Sequence, residues 1–211
     1  MSTAKDLVHL GRLVAATHGW AAAKAFKSYG MSDTDRAGIA ACAVRLLDVF
    51  PLVPNASALM SAAFAVQLER VLTAPVQVVA GTLCVEGEPV FGDRMPFDGH
   101  VIFGSPNPDW HGHVWVMIGP HIADISIFRT AYSRFGPASL SRHIDLVFGP
   151  NKALYVDQWQ KSRQRGLSYE PQYVLSEEEV TRLMGGAYER IEQARSERAQ
   201  AGSSSVQSDI A

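Results

Sequence analysis

The feature that most constrains this fold is a helix-forming stretch from Ser57 to Leu72. It reads ALMSAAFAVQL through its middle and carries no charge before Glu69. A helix that is apolar on every side has no face to give to water and belongs in an interior. Its many alanines let a neighbouring element approach closely. The other segments must therefore be arranged around this one.

Two helices are expected before it. Residues 5–28 form the first, with Leu7, Leu10, Val14 and Trp20 among its apolar positions and Gly30 as a left-handed stop. Ser32 or Asp33 caps the second, whose stripe includes Ile39, Val44, Leu47 and Phe50 before Pro51 and Pro54 break the chain. The texture changes at Pro75. VQVVAGTLCV is rich in β-branched residues and reads as a strand, EGEP turns the chain, and Val90 and Phe91 begin a return strand. HVIFG from His100 and HVWVMIG from His113 read as further strands, and the second passes through Gly119-Pro120 into HIADISIF as a hairpin. Short helices are expected over 138–146 and 152–164. A last helix from Ser176 to about Arg198 opens with Ser-Glu-Glu-Glu, a capping-box start. Helices followed by strands, with no internal repeat, predict an α+β architecture in one domain over 1–200. The polar residues 201–211 are expected to be disordered.

Composition narrows the function. Nineteen Lys and Arg against 21 Asp and Glu give a formal charge of -2, which lacks the electrostatic footprint of a nucleic-acid binder. Two cysteines are too few for a disulfide framework. Asp6, His9 and Arg12 interrupt any signal-peptide core, and no apolar run approaches the length of a membrane span. A cytoplasmic protein without membrane attachment is the expectation.

The hairpin carries the sharpest chemical signal. A two-residue turn at Gly119-Pro120 sets Ile118 opposite His121, Val116 opposite Ala123 and Val114 opposite Ile125, forming an apolar face. His113, Trp115, Met117, Ile122, Asp124 and Ser126 then share the other face, with His113 and Asp124 as diagonal neighbours. A carboxylate bonded to one imidazole nitrogen fixes the tautomer and leaves the other nitrogen to act as a base. A nucleophile would suit the start of the buried helix, where unpaired N–H groups and the positive dipole end stabilise negative charge. Ser57 lies there, in PNASALMS, and the plainer role for it is as the helix N-cap. Cys42 reads as a small buried hydrophobe, and Cys84 on its strand is a weaker alternative nucleophile. A separate option is a metal site built on His111 and His113 with His100 and His121 nearby, although no HExxH or CxxC is present.

The run NASALMSAAFAVQLERVLTAPVQVVAGTL, followed by the His strand HVWVMIG and then Asp124, resembles the core of transglutaminase-like and papain-like cysteine hydrolases across residues 52–128. Leader peptidases of lasso-peptide biosynthesis show a similar order. The resemblance implies a buried central helix packed on an antiparallel sheet and flanked by N- and C-terminal helices. It also implies hydrolysis or transfer at an amide or acyl bond of a peptide or protein, with no cofactor. His113 would be the base, Asp124 its orienter and Ser57 the nucleophile, with Asn55 and Trp115 at the substrate. Where the family has cysteine this chain has Ala56-Ser57-Ala58. Three accounts stay open: a serine nucleophile, an inactive relative that binds a peptide or protein partner, or a cysteine replaced by design.

Overall fold

In the computed structural model, the described residues are 3–208 except residue 135, with side chains described over 7–200. In chain order the elements are α1 (Thr3–Ser28), α2 (Asp33–Val49), α3 (Ser57–Glu69), β1 (Val76–Val85), β2 (Glu88–Phe91), α4 (Gly99–Ile102), β3 (His113–Ile118), β4 (His121–Asp124), α5 (Ile127–Ala131), α6 (Ala138–Val147), β5 (Tyr155–Gln158), α7 (Trp159–Ser162), β6 (Leu167–Val174) and α8 (Glu177–Ser208). The fold is α+β. Among the described residues no helix is long and apolar enough to cross a membrane. The last helix, expected to end near Arg198, runs on to Ser208 through most of the segment expected to be disordered, and residues 209–211 lie outside those described.

Every strand pairing is antiparallel, along the path β2-β1-β3-β4-β5, with β6 also on β1. Val79 pairs with both Trp115 and Val174, and Leu83 with both Phe91 and Tyr169. A strand has two edges, so β3 and β2 follow one another along one edge of β1 while β6 takes the other. The Gly119-Pro120 turn holds the expected register, Ile118 opposite His121 and Val116 opposite Ala123. The pairing stops at Asp124, and Ile125 joins the core unpaired.

Strand alternation then divides the interior. Val76, Val78 and Ala80 of β1, with Val114, Val116 and Ile118 of β3, meet α2, α3 and α8 on one face. Val79 and Leu83, with Trp115, Met117 and Ile122, meet Leu10, Val14 and Phe26 of α1 and Leu140 and Ile144 of α6 on the other. The α3 helix is buried as its composition demands, with Ala62, Ala63 and Phe64 at 0% exposure. A 2.8 Å hydrogen bond from Ser61 Oγ to the Val114 carbonyl ties it to β3.

Several expectations are corrected. The first helix breaks at Gly19 (φ 84°, ψ 167°), and a Cβ on Gly11 would stand 2.6 Å from Lys27 Cε. Those residues would lie about 24 Å apart along a straight helix, so the chain folds back on itself at Gly19. The left-handed glycine is thus Gly19 rather than Gly30, and Trp20, just past the break, is 74% exposed. Val44 likewise faces outward at 69%. HVIFG is the short helix α4, because the Asp98 carboxylate accepts from the N–H groups of His100 and Val101 and starts a helical turn. The segment expected as a helix over 152–164 begins instead with β5, and β6 lies in chain to which no strand was assigned.

Candidate functional site

His113 opens β3 and Asp124 closes β4, on the same face of the hairpin. His113 Nε2–H donates to Asp124 Oδ2 at 2.6 Å, and the two side chains are 2% and 0% exposed. The carboxylate has four further donors. Oδ1 accepts from the N–H groups of Ser126 and Ile127 and from Ser126 Oγ, which also seats the start of α5, and Oδ2 accepts from the Tyr169 hydroxyl at 3.0 Å. Burial pushes the Asp124 carboxyl up, but the His113 charge and the bonds from His113 and Ser126 outweigh it and hold the group below the usual carboxylate range. Burial first, and then the Asp124 charge, drive the Tyr169 phenol far up, so it stays protonated as a donor. The imidazole is stacked between Phe91, at 5.6 Å between ring centroids, and Trp115, at 6.3 Å. With Nε2 committed to Asp124, Nδ1 is the nitrogen left for chemistry.

A cavity of about 790 Å³ is lined by both His113 and Ser57, with Asn55, Ala56, Met60, Phe91 and Gly112. The two reach it from different layers. The α3 helix packs on the sheet face opposite the imidazole, but Ser61 is pinned to Val114. One helical turn back from Ser61 is about 5.4 Å, or roughly two residues of strand, which brings Ser57 level with the start of β3. Past that end the sheet no longer separates them.

Ser57 is not the N-cap. Ala56 holds that position with no side-chain cap bond, and Ser57 is the first helical residue, 9% exposed. The N–H of Met60 already bonds the Ala56 carbonyl, so the N–H groups of Ser57, Ala58 and Leu59 are the ones without helical partners. Among the described residues no hydrogen bond joins the Ser57 hydroxyl to His113. Asn55 has φ 53°, which an asparagine tolerates well, and it shapes the turn into α3 while also lining the cavity. The assignment of Trp115 to substrate is corrected: it is 1% exposed, absent from the cavity lining, and packs edge-on against Tyr169 behind the imidazole.

The cysteines lie elsewhere. Cys42 is buried in α2, and the Cys84 thiol is pushed up to about 11, first by burial and then by Glu170. The histidines also separate. His113 bonds Asp124, His100 meets Glu179 at 2.9 Å, and His121 is buried with Nδ1 unpartnered. Among the described residues no three His, Cys, Asp or Glu side chains gather as metal ligands would. Tyr169 and Phe91 are site residues that the sequence did not single out, whereas Ser126, expected on the same hairpin face, is a donor to Asp124. Tyr169 had a faint signal, because Leu167 and Tyr169 alternate inward, but Pro171 interrupts the run. No protein-family model, curated protein or solved structure matches the chain.

Proposed function

We propose that the domain is of the papain or transglutaminase type and acts on amide or acyl bonds through Ser57, His113 and Asp124. The observation that carries this is the buried His113–Asp124 pair on the wall of the cavity that also holds the first turn of α3. Asp124 holds His113 as the Nε2–H tautomer, so Nδ1 takes the proton of the Ser57 hydroxyl as its oxygen attacks the carbonyl carbon. Negative charge on the carbonyl oxygen is met by N–H groups at the start of α3. His113 then returns the proton to the leaving group, and water or a second nucleophile releases the acyl group by the same steps.

A second reading, a binding domain without turnover, is favoured by the missing hydrogen bond between Ser57 and His113. The two are separated by substituting Ser57→Cys and His113→Gln, the latter keeping a donor for Asp124. Acyl chemistry expects fluorophosphonate labelling at Ser57. It also expects the thiol introduced by Ser57→Cys to react with iodoacetamide at a pH well below the ~8.5 of an ordinary thiol, returning to it when His113→Gln is added. Silence toward fluorophosphonate, with an introduced thiol that ignores His113→Gln, would refute the triad and leave the binding domain.

A further inference from the structure

The cavity at α3 joins two kinds of wall. Leu52, Val53, Met60 and Phe128 make it apolar, while Arg129, Arg134 and Lys152 bring three cations and no Asp or Glu belongs to the described lining. In a chain of formal charge -2 this is a local concentration of the opposite sign. Arg129 sharpens the point. Its guanidinium donates to the carbonyls of Leu47 and Phe50 at the end of α2, so it is held in place. Among the described residues neither Arg129 nor Lys152 has an ion pair. The α2 carbonyl end offers Arg129 roughly half a negative charge, and the positive end of α3 opens into the same space. Burial lowers the Arg129 pKa, with no carboxylate offsetting it. A half-buried cation without a counter-charge, beside apolar walls, is a place where an anion with an apolar neighbour gains on binding.

We infer that this cavity takes a peptide or acyl amino acid that carries an apolar side chain next to a carboxylate. The inference deepens the acyl-transfer proposal by naming the substrate class, although the binding itself rests on the lining alone. The carboxylate has two sources, a free chain terminus or an acidic side chain, and the test separates them.

The full-length Ser57→Ala chain, in which the proposed nucleophile is absent, is titrated calorimetrically with three acetylated pentapeptides. One has Leu and Phe and a free C-terminal carboxylate, the second is its C-terminal amide, and the third is the amide with a Glu beside the Phe. At low salt at least one carboxylate-bearing peptide is expected to bind about tenfold tighter than the neutral amide, and the tighter of the two names the source. Lys152→Glu, at an exposed position, is expected to cut that preference about fivefold, and 0.5 M salt to remove most of it. Equal affinity for charged and neutral peptides, or no measurable binding of any, would overturn the inference. Selective binding by a protein whose wild type shows neither labelling nor turnover leaves the inference standing and removes the acyl chemistry. Turnover indifferent to the carboxylate does the reverse.

Discussion

Asp124→Asn tests whether the buried carboxylate orients the imidazole or merely fills the core. The replacement is nearly isosteric, and its carbonyl oxygen can still accept the three bonds that Oδ1 takes from Ser126 and Ile127. The change falls on Oδ2, where an NH2 group would confront two donors, His113 Nε2–H and the Tyr169 hydroxyl. Bonds to a charged acceptor are worth about 1.5–3 kcal/mol each, and rotation of the tyrosine hydroxyl with a change of imidazole tautomer recovers part of that. The net cost is about 2–4 kcal/mol. For a chain of this size it lowers Tm by roughly 5–15 °C. The tautomer is the more discriminating readout. Long-range ¹⁵N correlation at pH 8 should show His113 protonated on Nε2 in the wild type and on Nδ1 in the variant, because the ring must accept from Asn. With Nδ1 occupied by a proton, labelling at Ser57 should fall by about three to four orders of magnitude, as expected for a base in the wrong tautomer. A variant that melts within a degree of the wild type, or a wild type already protonated on Nδ1, would refute the reasoning.

The pair was legible because both members sit on one hairpin. A Gly-Pro turn of two residues leaves a single register that buries Val114, Val116 and Ile118 together, and that register places His113 and Asp124 on a common face. The interior position of α3 was legible for a similar reason: a helix with no charge before its last residue, Glu69, has one place to go. Local signals of this kind depend on neighbours in sequence. The break at Gly19 does not. The segments on either side have ordinary helical composition, and the fold-back is stabilised by contacts far away in the chain, including Thr17 and His18 on the carbonyls of Val174 and Leu175.

Tyr169 was hidden because β6 belongs to the sheet through β1 alone, and Pro171 argues against a strand except at such an edge. The pairing with β1 accommodates it by a register shift at Gly81, where any Cβ would stand 2.0 Å from the Glu170 carbonyl oxygen. The meeting of Ser57 and His113 in one cavity was beyond sequence for a different reason. It depends on which face of the sheet α3 covers and how far its first turn overhangs β3, and the Ser61 bond to Val114 sets that overhang. Nothing in the pattern SALMS marks Ser61 as the residue that fixes it.

Further outcomes concern pH and the seating of α3. The Asp124 carboxyl is held below its usual range, so its contribution to stability is complete above the unfolded value near 3.9 and is lost as pH falls through the lower folded value. Urea midpoints should therefore drop more steeply below about pH 4 in the wild type than in Asp124→Asn, and parallel curves would contradict this. Ser61→Ala removes a buried hydroxyl and orphans the Val114 carbonyl, which should cost about 1–2 kcal/mol. Gly19→Ala should cost a similar amount, because its φ of 84° disfavours alanine while a Cβ there would meet nothing within 4 Å. The two are matched in stability and differ in place. If Ser61 sets the overhang of α3, only Ser61→Ala should slow alkylation of the introduced thiol in the Ser57→Cys background. Equal rates in both variants would mean that the first turn of α3 is positioned by something other than its bond to β3.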